Sequence, residues 1–275
     1  MHTLHVRMEV EHFSNSSVNS YLHSAKQLCL FSGAMPEQLT ETDIYNYLHH
    51  LKNEKRLSRE TVRNHLQGIR FMYKRIYKRS DIIQDIPYPK HTKKLPVILS
   101  GSELKLLFAS AQSLKHHVML KIAYGGGLRR NEIGNLKLVH IDSKNNLLRI
   151  ENSKGNKDRY TLLAPSLVPQ LRGYCKRYRP EKYLFNGRIK GFPFSEEGMR
   201  WAFSHALKKS GIQKEVSLHS LRHSFASHLL AMGTSLFTIQ KLMGHGDIRT
   251  TMVYLQVNQQ ERPRNAISPL ELLLT

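Results

Sequence analysis

Acidic side chains are scarce in this sequence: 21 Asp and Glu stand against 42 Lys and Arg, a formal net charge of +21 at pH 7. A surplus on this scale points to a polyanionic partner, because cations that meet a phosphate backbone release its counterions. Cysteine is almost absent. Cys29 and Cys175 alone exclude a disulfide framework, and each sits among apolar residues as a buried free thiol would. No apolar run approaches the length needed to cross a bilayer. Neither a basic amphipathic helix nor a lipid signal supports the rival reading of a membrane-surface protein. Met1 to Val10 is polar and mixed in charge, unlike a secretory leader. These absences give the expectation of a cytoplasmic protein with no membrane partner. Internal repeats and low-complexity tracts are missing too.

What remains is an ordinary globular inventory. Hydrophobic residues make up 40% and charged residues 23% of 275, enough to bury a core without staples. The first third reads as helices. Ser17–Phe31 carries a helical pattern, and Thr40–Leu51 follows with acidic residues in its first turn. Ser58 caps a third helix, in which Val62, Leu66, Ile69, Tyr73 and Ile76 form one apolar stripe. A neighbouring face carries Arg59, Arg63, Arg70 and Lys74. Such faces are usually just solvated, but with this global charge a DNA-facing surface is the better expectation.

Ile86–Val97 breaks the pattern with three prolines and the cations Lys90, Lys93 and Lys94, a basic linker that also reads as DNA-facing. The expected boundary is near residue 95, giving a helical domain over 1–95, a linker at about 86–97 and a second domain over 96–275. Ser100 and Glu103 form a capping box that opens the second domain. Helix continues to about Leu136. Leu147–Glu151 and Tyr160–Leu163 read as two strands of a hairpin whose loop, Asn152–Arg159, includes Lys154 and Lys157. Five helical stretches follow: Ser166–Arg177, Ser195–Lys209, His219–Met232, Leu236–Met243 and Asp247–Val257. The fold class is mainly α with a small antiparallel β-sheet.

Four segments carry the chemistry. Tyr124-Gly-Gly-Gly-Leu-Arg129-Arg-Asn-Glu132 puts glycines before an arginine at a helix start, where backbone can approach a phosphate. The hairpin tip offers Lys154. Leu218-His219-Ser-Leu-Arg222-His223 sets His219 and Arg222 on one helix face by their i,i+3 spacing. Gly244-His245 is followed by Tyr254 nine positions on. Taken singly, each has a bland reading: a structural glycine turn, a solvated basic loop, a chance His-x-x-Arg, a core tyrosine.

Together, in this order, they closely resemble the tyrosine recombinases, or phage-integrase family. The resemblance is strong over roughly 95–258 and looser over the N-terminal part, which is similar to the family's helical, SAM-like core-binding domain. It implies a site-specific DNA recombinase that cleaves and rejoins strands through a 3′-phosphotyrosyl intermediate, with no metal or other cofactor. Arg129 and Arg222 match the pair that binds the non-bridging phosphate oxygens; planar, always-charged guanidiniums suit bidentate contact. Lys154 matches the general acid for the leaving 5′ oxygen. His219 matches the histidine that hydrogen-bonds the phosphate and can accept the tyrosine proton. His245 matches the second donor, Tyr254 the nucleophile, and Glu132 the bracing carboxylate. The resemblance also implies duplex DNA as partner, a homotetramer on DNA, and a C-terminal tail, about 258–275, docking in trans.

Some features depart from the family pattern. Arg130 stands where an aliphatic residue is usual, and so needs an exposed or DNA-facing setting. Asn131 replaces a common serine, and Leu255-Gln256 replaces Thr-His after the tyrosine. The 16 histidines raise the question of a metal. Adjacent pairs such as His49-His50 and His116-His117 do not face one another on a helix, and His219, His223 and His228 lack a zinc-type pattern. Two alternatives are a nicking-closing enzyme of the topoisomerase IB kind and a non-catalytic DNA-binding protein on a recombinase scaffold. The compact size favours a recombinase over the first, and the full set of expected catalytic positions disfavours the second. The short stretch before the first predicted helix leaves no room for an arm-binding domain of the lambda type. The span from Lys154 to His219 is too short for the extra helix of integron integrases. A simple, Xer-like form serving a mobile element is the expectation.

Overall fold

The computed structural model describes residues 2–90, 95–153, 157–189 and 191–258, with backbone alone at 152, 153, 157 and 258. The expected Lys93, Lys94, Lys154 and C-terminal tail lie outside the described residues. Two compact units emerge, Met1–Lys93 and Lys94–Thr275.

The first unit is a set of helices: α1 (His2–Val10), α2 (Asn15–Ser32), α3 (Glu41–Asn53) and α4 (Arg59–Met72). Side-chain oxygens start three of them. Ser14 accepts from the Ser17 amide, Thr40 and Asp43 cap each other reciprocally, and Ser58 accepts from the Thr61 amide. α2 lies along α4 closely because Gly68 has no Cβ; one built there would sit 3.0 Å from Ser24 Cβ and from Tyr21 Cα. Val18, Ala25, Leu28, Ile44, Leu66 and Ile69 fill the core between the helices. The helix α1 is absent from the sequence reading. Its chain is polar overall, and only Leu4 and Met8, one turn apart, turn inward.

The proline-rich segment corrects a second expectation, because its first part is packed rather than freely extended. Ile86 is buried in the helical core. The Tyr88 ring lies under two guanidiniums, 4.8 Å from Arg63 and 4.2 Å from Arg70. Arg63 Nη1 donates to the Pro89 carbonyl and Arg70 Nη2 to that of Ile86. Arg63 and Arg70 therefore hold this segment onto α4, while Arg59, Lys74 and Lys90 are exposed.

The second unit begins with α5 (Gly101–Ala109), opened by the reciprocal Ser100–Glu103 cap, then α6 (Leu114–Gly125) and α7 (Arg130–Asn135). A three-stranded antiparallel sheet follows in the order β1 (Ile141–Asp142), β2 (Leu147–Ser153), β3 (Lys157–Leu162). Five helices complete it: α8 (Val168–Tyr178), α9 (Glu196–Ser210), α10 (Leu218–Ala231), α11 (Leu236–Met243) and α12 (Ile248–Asn258). α10 packs against α6, α9, α11 and α12, so nearly all of its faces are covered. Small side chains make this possible: Ser220, Ser224, Ala226 and Ser227 are all buried. Ser224 Oγ takes a hydrogen bond from the Leu99 amide and donates to the Ser220 carbonyl. A helix covered on nearly all sides is a rigid mount for the polar residues at its start.

Candidate active site

Glu132 is the centre of the polar network. α7 starts at a tight cap in which the Glu132 carboxylate takes the Arg129 backbone N–H at 2.7 Å. The same carboxylate binds Arg129 Nη1 at 2.9 Å and is gripped by both terminal nitrogens of Arg159, at 2.6 and 2.7 Å. Bidentate, charge-assisted pairs of this kind are the strong ones. Burial alone would raise the Glu132 pKa, but Arg159 and Arg129 override it and bring it down to about 2.

Arg159 is not among the site residues that the sequence motifs mark. Along β3 exposure alternates: Asp158, Tyr160 and Leu162 face out, while Arg159, Thr161 and the following Leu163 are buried. In register with Ile150, Arg159 points inward with it. Its Nε also donates to the Leu242 carbonyl at the end of α11, tying hairpin, α7 and α11 together. The period-2 pattern of Asp-Arg-Tyr-Thr-Leu-Leu was the signal that could have found it.

Arg129 and Arg222 converge from different ends of the unit. Arg129 Nη2 donates to the Gly244 carbonyl at 2.9 Å. Arg222 Nη1 donates to the Gly127 carbonyl at 2.6 Å, and its Nη2 to that of Met243. Gly127 can offer its carbonyl there because it takes φ +57, and any Cβ would lie 2.3 Å from the Phe225 ring. Arg222 is only 1% exposed. Burial, then the nearby Arg129, lower its pKa to about 9, so it stays charged near neutral pH.

Three imidazoles border these cations. His219 is exposed at the start of α10, and desolvation with the charges of Arg222, Arg129 and Arg130 lowers its pKa. His245 Nδ1 meets Thr251 Oγ1 at 2.8 Å, and burial with Arg222, Arg129 and Arg159 pushes its pKa down to about 3. His223, one turn beyond His219, lies edge-on to it with ring centroids 4.6 Å apart. His223 Nδ1 is 2.9 Å from the Tyr254 hydroxyl. The sequence reading offered His219 as the acceptor for that proton, whereas the structure puts His223 against it. The Tyr254 ring, on α12, is buried, which pushes its pKa up to about 12 against the pull of Arg222 and Arg129.

Arg130 has the exposed setting it needed: it pairs with Glu196 of α9 at 2.6 Å. Lys157 enters β3 through its backbone. Among the described residues no group of three or more His, Cys, Asp or Glu is arranged to hold a metal. The geometry thus gathers Arg129, Glu132, His219, Arg222, His245 and Tyr254, and adds Arg159 and His223. Two guanidiniums backed by carbonyls, beside a phenol, form a site that can neutralise a phosphate and attack it.

Comparison with known proteins agrees with that chemistry. Residues 98–261 match the model of the phage integrase family, and residues 1–81 match the SAM-like N-terminal domain of phage integrases. A Sinorhizobium fredii protein, named provisionally as an integrase/recombinase, is 37% identical over 97% of this chain and 86% of its own. The tyrosine recombinase XerD of Halalkalibacterium halodurans is 30% identical over 93% of this chain and 92% of its own. Among solved structures, XerA recombinase is 27% identical over 95% of this chain and 97% of its own, with a TM-score of 0.55. A lambda integrase tetramer bound to a Holliday junction is 16% identical over 92% of this chain and 75% of its own; its TM-score of 0.75 shows the shared fold. On the motifs, the site and these relatives, the chain belongs to the phage integrase family and is a tyrosine recombinase, an enzyme of site-specific DNA recombination.

Proposed function

We propose that Tyr254 is the nucleophile and that Arg129 and Arg222 bind the non-bridging oxygens of the scissile phosphate. The observation that carries this reading is the convergence of both guanidiniums, each held from behind by a backbone carbonyl, on the region of the Tyr254 phenol. A tyrosine hydroxyl is a weak nucleophile near neutral pH and needs such help. Fixed positive charge stabilises the pentavalent transition state more than the ground state. His219 and His245 donate hydrogen bonds to the phosphate, Glu132 braces Arg129, and Lys154 protonates the departing 5′ oxygen. Exchange of one phosphodiester for another needs neither a metal nor ATP.

The partner is duplex DNA, gripped by the catalytic unit and by the N-terminal unit through Arg59, Lys74 and Lys90, with Lys93, Lys94 and Lys157 adding charge. Arg63 and Arg70 belong to the same face. The domain division runs near residue 95. The assembly is a homotetramer on two duplexes, coupled by the C-terminal tail in trans; the lambda integrase tetramer on a Holliday junction supports the multimer. The site of action is the cytoplasm, in a simple Xer-like enzyme carried by a mobile element.

The test is a nicked suicide duplex taken from sequence flanking the gene, incubated with the protein in EDTA and resolved on a denaturing gel. Wild type should form a covalent protein–DNA band and Tyr254→Phe none, with equal DNA binding by both. A covalent band from Tyr254→Phe would remove Tyr254 as the nucleophile. Binding by the wild type without cleavage, on its own mapped site, would favour a non-catalytic protein. Religation of one strand without exchange between duplexes would favour a nicking-closing enzyme.

A further inference from the structure

Attack by a phenol requires its proton to leave. Among the described residues, the side chain in hydrogen-bond contact with the Tyr254 hydroxyl is His223, at 2.9 Å. His223 and His219 share a face of α10 one turn apart, yet only His223 reaches the phenol; His219 lies on the far side of it, edge to face. Nδ1 is an acceptor when the imidazole is neutral and carries its hydrogen on Nε2.

We propose that His223 is the general base of the cleavage step, taking the Tyr254 proton on Nδ1 as the phenolic oxygen attacks phosphorus. The inference rests on the reading of Tyr254 as the nucleophile. The step balances without a further reactant. The O–H bond of Tyr254 breaks and its proton passes to His223. An Oη–P bond forms as the P–O5′ bond breaks, and the leaving 5′ oxygen is protonated by a separate acid. In the reverse step the imidazolium returns its proton to the phenolate as the strand is resealed.

The surroundings explain how such a base is kept off until substrate arrives. Desolvation, then the neighbouring His219 and Arg222, depress the His223 pKa to about 4, while burial raises that of Tyr254 to about 12. The proton therefore stays on oxygen in the DNA-free protein. Groups facing His223 are His219 and Arg222 from its own helix, Tyr254 from α12 and His245 from the turn before it. None of them carries negative charge while Tyr254 is protonated. A phosphate entering between Arg129 and Arg222 supplies the missing anion, offsets the Arg222 charge and makes His223 a stronger acceptor at the moment it is needed.

The test compares wild type with His223→Asn, which keeps a polar atom near the Nδ1 position but takes up no proton, and with His219→Ala. Single-turnover formation of the covalent complex is followed at saturating DNA on the nicked duplex. His223→Asn should bind DNA as wild type does and cleave about a hundredfold more slowly or worse. Its rate should climb steadily with pH as hydroxide takes over, narrowing the deficit. A bridging 5′-phosphorothiolate duplex, whose leaving group needs no acid, should not rescue it but should rescue Lys154→Ala. His223→Asn cleaving at the wild-type rate, or rescued by the phosphorothiolate, overturns the inference. So does a wild-type-like pH profile for His223→Asn alongside a flattened one for His219→Ala. Failure of the wild type itself to form a covalent complex removes the tyrosine reading and this inference with it, whereas a normal wild type beside an unimpaired His223→Asn removes the inference alone.

Discussion

A carboxylate buried among guanidiniums is stable only while every partner is present. Glu132 takes Arg159 bidentately and Arg129 through both side chain and backbone. Its folded pKa, near 2, is below the ordinary carboxylate value of 4.5. The stabilisation it gives is therefore present in full above about pH 4.5 and disappears as pH falls toward 2. The shift corresponds to about 3 kcal/mol, and Glu132→Gln should lose roughly that amount in urea unfolding at pH 7. Measured at pH 2.5, the difference between wild type and variant should shrink. Arg129→Ala should cost cleavage about a hundredfold or more with DNA affinity little changed, read by single-turnover kinetics. At this scale the sequence was legible where a residue belongs to a short motif. Arg129, Glu132, His219, Arg222, His245 and Tyr254 stand in three short segments whose order along the chain carries the family resemblance. Arg159 lies in the hairpin segment and His223 in the His-x-x-Arg segment, yet local spacing gives neither a role. Their significance depends on what lies across the fold, namely Glu132 of α7 for one and Tyr254 of α12 for the other.

The elements were legible where capping chemistry and periodicity agree. The ends of α3, α4, α5 and α9 follow their Thr40, Ser58, Ser100 and Ser195 caps. Two elements escaped for physical reasons. α1 buries only two side chains, too few to register as a stripe, and β1 is a two-residue strand whose pairing with Leu147 and Leu148 is the whole of its definition. The packed start of the linker escaped because prolines suppress helix without saying whether a segment is exposed; the Tyr88 stack is a tertiary fact. The turn between α6 and α7 is the element on which the site most depends. Gly127 at φ +57 directs its carbonyl at Arg222 and leaves no room against Phe225. Gly127→Ala should lower stability by roughly 2–4 kcal/mol through left-handed strain and overpacking, and thermal unfolding reads this directly. Cleavage by that variant should fall further than its DNA binding, because Arg222 loses a carbonyl that aims it.

For the whole molecule, the excess of +21 charges should govern association. The logarithm of DNA affinity should fall linearly with the logarithm of salt concentration. Arg59→Ala, at the start of α4, and Lys74→Ala, in the helical turn just after it, both exposed, should each reduce that slope by about one without changing which sequence is preferred. A slope equal to wild type in both would mean that this face does not meet phosphate. Arg63→Ala and Arg70→Ala should behave differently, lowering the stability of the N-terminal unit as well, since each holds the Ile86–Pro89 backbone.

The order of the site along the chain has a consequence during synthesis. The contacts that complete it join Gly127 to Arg222 across 95 residues and Arg129 to Gly244 across 115. Tyr254 comes last of all. With Tyr254 as the proposed nucleophile, a ribosome that has delivered both arginines has still made nothing expected to sever a strand, and a product cut short before α12 should not cleave DNA. Such a fragment keeps the cations that precede α12 but lacks the helix packed on α10 and α11, so any DNA that it holds it should leave uncut.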